Sequence, residues 1–385
     1  MKTSPSVGLM VALMMFPQIV ETIYSPALPD IAQGFSVSIS MASQTLSIYF
    51  VAFAVGVIVW GVLSDYLGRR ATMLLGLAVY GLAAIGALLA PSFDALMLCR
   101  VISAFGAAVG SVVSQTILRD SYQGPDLSRV FSYMGIGLSI SPVLGMGLGG
   151  YLVDWNGYQA VFFALCLLAL TLGAACFVKL PETKPSQLSK LNLGFLAKKL
   201  FSDMDIWFSA GLVACFNVAL FSYYLQGPFM FKSLGLSSVD FGHSGIALAI
   251  GTFAGSIANK QLIKLGIESN KLIVIAVAIS MCGAIGVHTL SSSIVFLLPM
   301  ILVVIGFGIG IPNILSRALI GYKDAVGSAG ALFGLMYYLM IGLGLFVAAK
   351  VQSLGMVLVG FTSVMVVLLT LKLARQRLES NATVS

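Results

Sequence analysis

The feature that most constrains this chain is a recurrence. Apolar runs of about 20 residues, almost free of charge, follow one another from end to end. A helix of that length rises about 30 Å, the thickness of a bilayer's hydrocarbon core. Of the 385 residues, 59% are hydrophobic and 9% are charged. An average soluble domain carries about 25% charged residues, and a water-facing surface cannot be built from so few. Lipid is the solvent that removes that need. The 41 glycines fit the same setting, because small residues let membrane helices approach closely.

The net charge of +7 does not point to nucleic acid, since the basic residues are scattered between apolar runs rather than gathered on one face. Cys99, Cys166, Cys176, Cys215 and Cys282 lie inside apolar runs without metal-ligand spacing. They read as reduced buried thiols, with no metal site and no disulfide framework. Met1 to Leu9 lacks a basic segment and a small-residue cleavage site, so the first run is expected to be retained as a helix.

The spans are expected near 7–29, 41–62, 71–90, 94–117, 130–152, 158–179, 207–229, 243–264, 271–289, 294–316, 327–349 and 351–372. Loop charges test the count. With the N-terminus in the cytoplasm, 18 of the 21 Lys and Arg fall in or beside cytoplasmic segments. Lys232 and Lys350 fall outside, and Arg100 lies within a span. That contrast obeys the positive-inside rule and places both termini in the cytoplasm. The longest polar connection separates two six-span halves, the layout of a two-bundle transporter. The expected organisation is an N-terminal six-helix bundle over 1–180, a cytoplasmic linker over 181–206, a C-terminal six-helix bundle over 207–373 and a cytoplasmic tail over 374–385.

The turn after span two reads Gly61-Val-Leu-Ser-Asp65-Tyr-Leu-Gly68-Arg69-Arg70. It resembles the signature loop of the major facilitator superfamily at every key position. Span one ends Tyr24-Ser-Pro26-Ala-Leu-Pro29, span four carries Arg100, Gly106 and later Leu118-Arg119-Asp120-Ser-Tyr122, and span seven ends Gln226-Gly227-Pro228-Phe229. Together these are similar to the Bcr/CflA branch of the 12-span drug:proton antiporters. The resemblance implies an all-α integral membrane protein of 12 transmembrane helices in two pseudo-symmetric bundles, in a bacterial inner membrane. It implies a monomeric multidrug efflux transporter driven by the proton gradient, not an enzyme, with no cofactor. It also implies a gating latch. Asp65 would dock on the start of span eleven, near Gly327-Ser328-Ala329-Gly330, and Arg69 would pair with Asp120. Helix N-termini favour such a carboxylate. Gly61 and Gly68 would permit close packing and a tight turn. The plainer alternative is a positive anchor at the membrane edge.

Two charges lie at depth. Glu21 is eight residues before Pro29, and Arg100 is about six residues into span four. At 1.5 Å per residue these are roughly 12 Å and 9 Å from the outer side. A charge there is a functional-site candidate by default. A carboxylate in an apolar wall is costly when charged, and a nearby Arg100 or a bound cation offsets that cost. Glu21 can thus carry a proton and exchange it for a substrate, with reciprocal linkage between the two. A static Glu21–Arg100 pair joining spans one and four is the structural alternative. The branch usually has its acid four residues before the first proline of the Tyr-x-Pro run; that position is Thr22 here.

Gln18 and Ser25 share a helical face with Glu21. With Thr22, Ser103, Asn217 and Tyr224 they are candidates to line a substrate cavity, where Met336 and Tyr337 would add adaptable and aromatic contacts to a lipophilic cation. Helix packing is the alternative for each. Span five carries Gly135, Gly137, Ser141-Pro142, Gly145, Gly147, Gly149 and Gly150. It resembles the antiporter motif of drug exporters, and Pro142 with Gly145 suits a hinge or a tight seal. His243 and His288 lie at outer span ends, as proton relays or as interfacial side chains. No span carries paired carboxylates, a metal motif or a Ser/His dyad, which disfavours an intramembrane enzyme. The competing function is a narrower transporter of a siderophore, sugar or other metabolite in the same fold.

Overall fold

A computed structural model describes residues 5–185 and 193–382, and every regular element among them is a helix. Lys2, the linker centre over 186–192 and Thr383 lie outside the described residues. The elements are α1 (Val7–Tyr24), α2 (Leu28–Gly34), α3 (Ile39–Leu67), α4 (Arg69–Leu88), α5 (Phe93–Ser121), α6 (Gly124–Lys179), α7 (Leu193–Phe201), α8 (Met204–Ser233), α9 (Ser238–Lys264), α10 (Ser269–Thr289), α11 (Leu297–Ala318), α12 (Val326–Val351) and α13 (Leu354–Ala382).

Eleven helical segments among the described residues are long and apolar enough to cross a membrane. One of them is really two. Helix α6 has 56 residues, about 84 Å of helix against a core of about 30 Å. Its backbone leaves the helical region at Asn156 (φ −155°, ψ 38°) and Gly157 (φ 62°, ψ −161°). The parts before and after that break are the expected fifth and sixth spans, which restores 12 crossings. Backbone angles are helical at Pro142, the expected hinge within span five, and the departure at Asn156–Gly157 is the turn between the two spans.

Local chemistry sets the helix starts. Ser38 Oγ accepts from the Met41 amide at 3.2 Å, and Ser92 Oγ from the Ala95 amide at 3.3 Å. Asp240 accepts from Ser237 N and Oγ while Ser237 Oγ accepts from the Asp240 amide, a reciprocal cap for α9. Pro26 and Pro29 withhold amides where α1 passes through a turn at Ser25–Ala27 into α2.

The chain forms two compact units. The first is Met1–Lys190 with Gly227–Ala249; the second is Leu191–Gln226 with Ile250–Ser385. This division differs from the expected boundaries at 1–180 and 207–373. The end of α8 and the start of α9 group with the first unit because bare backbones meet there. A Cβ on Gly242 would sit 2.7 Å from the Met146 carbonyl oxygen, and one on Gly150 would sit 2.5 Å from that of Ser238. The Tyr151 hydroxyl and His243 Nε2 add a 2.9 Å hydrogen bond.

Within the first unit, α1 is the axis of packing. Pro17 has no amide, so the Leu13 carbonyl loses its usual helical partner. Helix α5 closes over that carbonyl at Gly110, where a Cβ would come within 2.7 Å of it. On the other side, Gly137, Gly145 and Gly149 of α6 meet Val11 and Met15, Thr22, and Ile23. Three of the glycines of the antiporter motif thus form a seam against α1.

In the second unit, Gly283 and Gly306 bring α10 and α11 together against Pro299 and Ser280. Gln226 Nε2 donates to the Ala348 carbonyl at 2.9 Å, joining α8 to α12. The linker carries a helix that was not expected. Leu196 and Leu200 of α7 are buried, and Lys199 lies over the Tyr322 ring at 5.0 Å. Trp207 Nε1 donates to the Phe201 carbonyl, and the Tyr322 hydroxyl to Asp203 Oδ2. The expected tail over 374–385 continues α13 as far as Ala382.

Candidate functional site

Four helices of the first unit bring one charged cluster together. Helix α1 supplies Glu21 and Tyr24, α3 supplies Tyr49, α4 supplies Tyr80 and α5 supplies Arg100. Glu21 is 4% exposed and Arg100 is 1% exposed, so neither is a solvated side chain. The guanidinium lies over the Tyr24 ring at 3.9 Å and over the Tyr49 ring at 5.0 Å. Both rings are anchored. Tyr24 Oη donates to Thr45 Oγ1 at 2.9 Å, and Tyr49 Oη to the Pro17 carbonyl at 3.4 Å. Tyr80 meets Phe16 edge-on at 4.8 Å. A desolvated cation over aromatic faces gains about 2 kcal/mol per favourable ring, which helps to hold Arg100 at depth.

The two charges act on each other electrostatically, yet they do not close into an ion pair. Both ion pairs among the described residues belong to Arg69. Glu21 Oε1 and Arg100 Nε and Nη2 are buried without a hydrogen-bond partner from the protein. Leaving such a group unpaired costs roughly 1–3 kcal/mol, and more when it is charged. A folded protein that keeps three together holds hydrogen-bonding capacity for another partner.

The remaining cavity candidates are placed as follows. Thr22 points away from the cluster, into the α6 seam at Gly145, and its hydroxyl donates to the Gln18 carbonyl at 2.7 Å. One residue step is about 100° of helix, so Glu21 and Thr22 face different neighbours. Gln18 is half-buried and Ser25 is buried, both on α1 or its extension. Ser103 sits beneath Arg100 and spends its hydroxyl on the Arg100 carbonyl at 2.9 Å. In the second unit, Asn217 Nδ2 donates to the Val213 carbonyl, a packing role within α8. Tyr224 is buried against Phe221 and Tyr223. Met336 is buried, and Tyr337 meets Phe333 edge-on and Tyr338 at a tilt. Gly145 belongs to the seam of α6 on α1, and Pro142 is half-buried on the same helix.

The loop between α3 and α4 forms a second constellation. Arg69 is buried, and its Nε donates to Asp120 Oδ2 at 2.8 Å. Its Nη1 donates to Asp65 Oδ1 at 2.6 Å and to the Ser64 carbonyl at 2.8 Å. Asp65 itself is 50% exposed. The surroundings of Gly327, at the start of span eleven, lie outside the described residues. Gly68 turns the chain at φ 96°, a conformation that suits glycine. Gly61 is less constrained, since a Cβ there would meet Val112 only at 3.6 Å.

Sequence reasoning missed Glu182. Gly68 cannot cap α4 with a side chain, so the carboxylate of Glu182 does so from beyond the end of α6. It accepts from the amides of Arg69 at 2.9 Å and Arg70 at 3.2 Å. It also accepts from the amides of Thr183 and Lys184, and Lys184 Nζ donates to the Tyr66 carbonyl. Arg70 Nη2 donates to the Phe177 carbonyl. Partial burial alone would raise the Glu182 carboxyl's pKa, but the four amides together hold it below the ordinary value. Tyr24, Tyr49 and Tyr80 were missed as well. Each is an aromatic residue in an apolar span, and nothing local marks it as a partner of Arg100.

Comparison with known proteins agrees with this architecture. The model of the Major Facilitator Superfamily matches residues 10–349. A protein of Rickettsia bellii named as an uncharacterized transporter is 33% identical over 365 residues, covering 90% of this chain and 89% of its own. Multidrug resistance protein D of Escherichia coli is 28% identical over 349 residues, covering 87% and 86%. The crystal structure of a D-xylose-proton symporter superposes with a TM-score of 0.72 at 14% identity, covering 94% of this chain and 97% of the other, a likeness of fold. The chain belongs to the Major Facilitator Superfamily, and it is a multi-pass membrane transporter of small molecules rather than an enzyme.

Proposed function

We propose that this transporter exports amphipathic small molecules, drugs among them, in exchange for protons, and that Glu21 is the carboxylate both ligands use in turn. The observation that carries the reading is the buried Glu21 Oε1, which has no protein partner although Arg100 stands within electrostatic range. A carboxylate held this way changes state with whatever approaches it. A proton removes its charge, and a cationic or polar substrate supports that charge; by linkage each ligand weakens the other. Thr22 does not substitute for it, because that side chain is sealed against Gly145. The resemblance to a multidrug resistance protein supports a drug-like substrate range. The distribution of Lys and Arg supports a bacterial inner-membrane protein with both termini in the cytoplasm.

The test is transport by purified protein in proteoliposomes, with drug susceptibility of expressing cells alongside. Glu21→Gln is expected to abolish pH-driven efflux and substrate-induced proton release while leaving a folded protein. A Glu21→Gln variant that still couples efflux to the proton gradient would sink this mechanism.

A further inference from the structure

We infer that Arg100 is a carboxylate subsite, so that the preferred substrates carry a carboxylate and, where they are zwitterions, engage Glu21 with their cationic end. This rests on the transport site proposed above and narrows the substrate class that it takes. Nε and Nη2 lie on the same edge of a guanidinium, and their N–H bonds run nearly parallel. Those are the two buried nitrogens of Arg100 that have no hydrogen bond from the protein. A pair of parallel donors is matched by a planar, two-oxygen acceptor, which is the geometry of bidentate Arg–carboxylate recognition.

The surroundings restrict the alternatives. The guanidinium is laid over Tyr24 at 3.9 Å and Tyr49 at 5.0 Å, and the hydroxyls of both rings are committed elsewhere. Two of the donors that Arg100 has left to offer a ligand lie in its own plane, along that edge. The nearest acidic candidate within the protein is Glu21, and it has not closed onto the edge: its Oε1 is itself unpartnered. A lone cation would serve Glu21 and leave the guanidinium edge unmatched in a buried setting. A neutral ligand would serve neither charge fully. A molecule with a carboxylate and an amine on an apolar body serves both.

A matched set of indole compounds separates these cases: indole-3-propionate (anion), tryptophan (zwitterion) and tryptamine (cation). Binding is measured by calorimetry on the full-length protein in lipid nanodiscs, for the wild type, Arg100→Lys and Glu21→Gln. Lysine keeps the positive charge and loses the two-donor edge. In the wild type, the two carboxylate-bearing probes are expected to bind more tightly than tryptamine. Arg100→Lys is expected to weaken them by about tenfold or more while tryptamine changes less than about twofold. Glu21→Gln is expected to weaken tryptamine and tryptophan and to spare indole-3-propionate. The inference is overturned if tryptamine binds as tightly as tryptophan in the wild type, a comparison that holds even if Arg100→Lys does not fold. It is equally overturned if Arg100→Lys affects all three probes alike, because Arg100 then acts only through Glu21. Loss of proton coupling is scored separately in proteoliposomes. A Glu21→Gln protein that still couples, yet binds carboxylates through Arg100, defeats the proton-carrier reading and leaves this one standing.

Discussion

At the scale of single residues, the contrast between Glu21 and Thr22 decides how the first span works. They are neighbours in sequence and face different helices. Thr22 Oγ1 lies where a Cβ on Gly145 would have to go. Gly145→Ala is therefore expected to destabilise the protein by about 1–3 kcal/mol, the usual range for overpacking a tight contact. Gly61→Ala, with 3.6 Å of clearance, is expected to be close to neutral. Thermal unfolding in detergent compares the two. Adding Thr22→Ala to Gly145→Ala should recover only part of the loss, because Thr22 Cβ and the Ile23 amide stay within 3.0 Å. Glu21 and Arg100 were legible as candidates from sequence because charge at depth is rare. Their three tyrosine neighbours were not, since an aromatic residue in a lipid-facing span and one over a guanidinium look alike in one dimension.

Among the elements, α6 is the one whose description needed the structure. Its two spans were readable from the apolar runs, and the antiporter-like glycines pointed to Pro142 as the place to bend. The turn between those two spans falls at Asn156–Gly157, where φ 62° and ψ −161° at the glycine exclude most side chains. A Cβ there would also approach Asp30 Oδ2 to 2.9 Å. Gly157→Ala is expected to cost about 1–3 kcal/mol through backbone strain, read as a lowered unfolding temperature and a lower yield of monodisperse protein. Pro142→Ala should be milder by the same measures, as the backbone angles at Pro142 are helical on both sides. In sequence, a glycine serving a close helix contact and one serving a bend are the same letter. Only the partner across the seam tells them apart.

For the whole molecule, the count of crossings and the charge asymmetry were legible because both are one-dimensional consequences of a lipid solvent. The cap on α4 was not, because its donor and acceptor are 113 residues apart. That contact has a pH signature. The Glu182 carboxyl is held below its ordinary value by the amides that it accepts from. A depressed acid contributes stability that is fully present above its unfolded pKa and disappears as pH falls through the folded one. The first unit is therefore expected to keep its thermal stability from neutral pH down to the ordinary glutamate value of about 4.3 and to lose it as pH falls further. Glu182→Gln should lower stability at neutral pH and flatten that acid-side decline, and unfolding midpoints across the range report both.

The same carboxylate has a consequence in time. A chain is made from its N-terminus at about 5–20 residues per second. The amides of Arg69 and Arg70 leave the ribosome 113 and 112 residues before Glu182 does, a wait on the order of ten seconds. Until then, the third span stands in the membrane with the start of its helix unsealed. The first bundle is completed only when its sixth span has been inserted and the residues just after it fold back, so that the last-made part of the bundle closes one of the first.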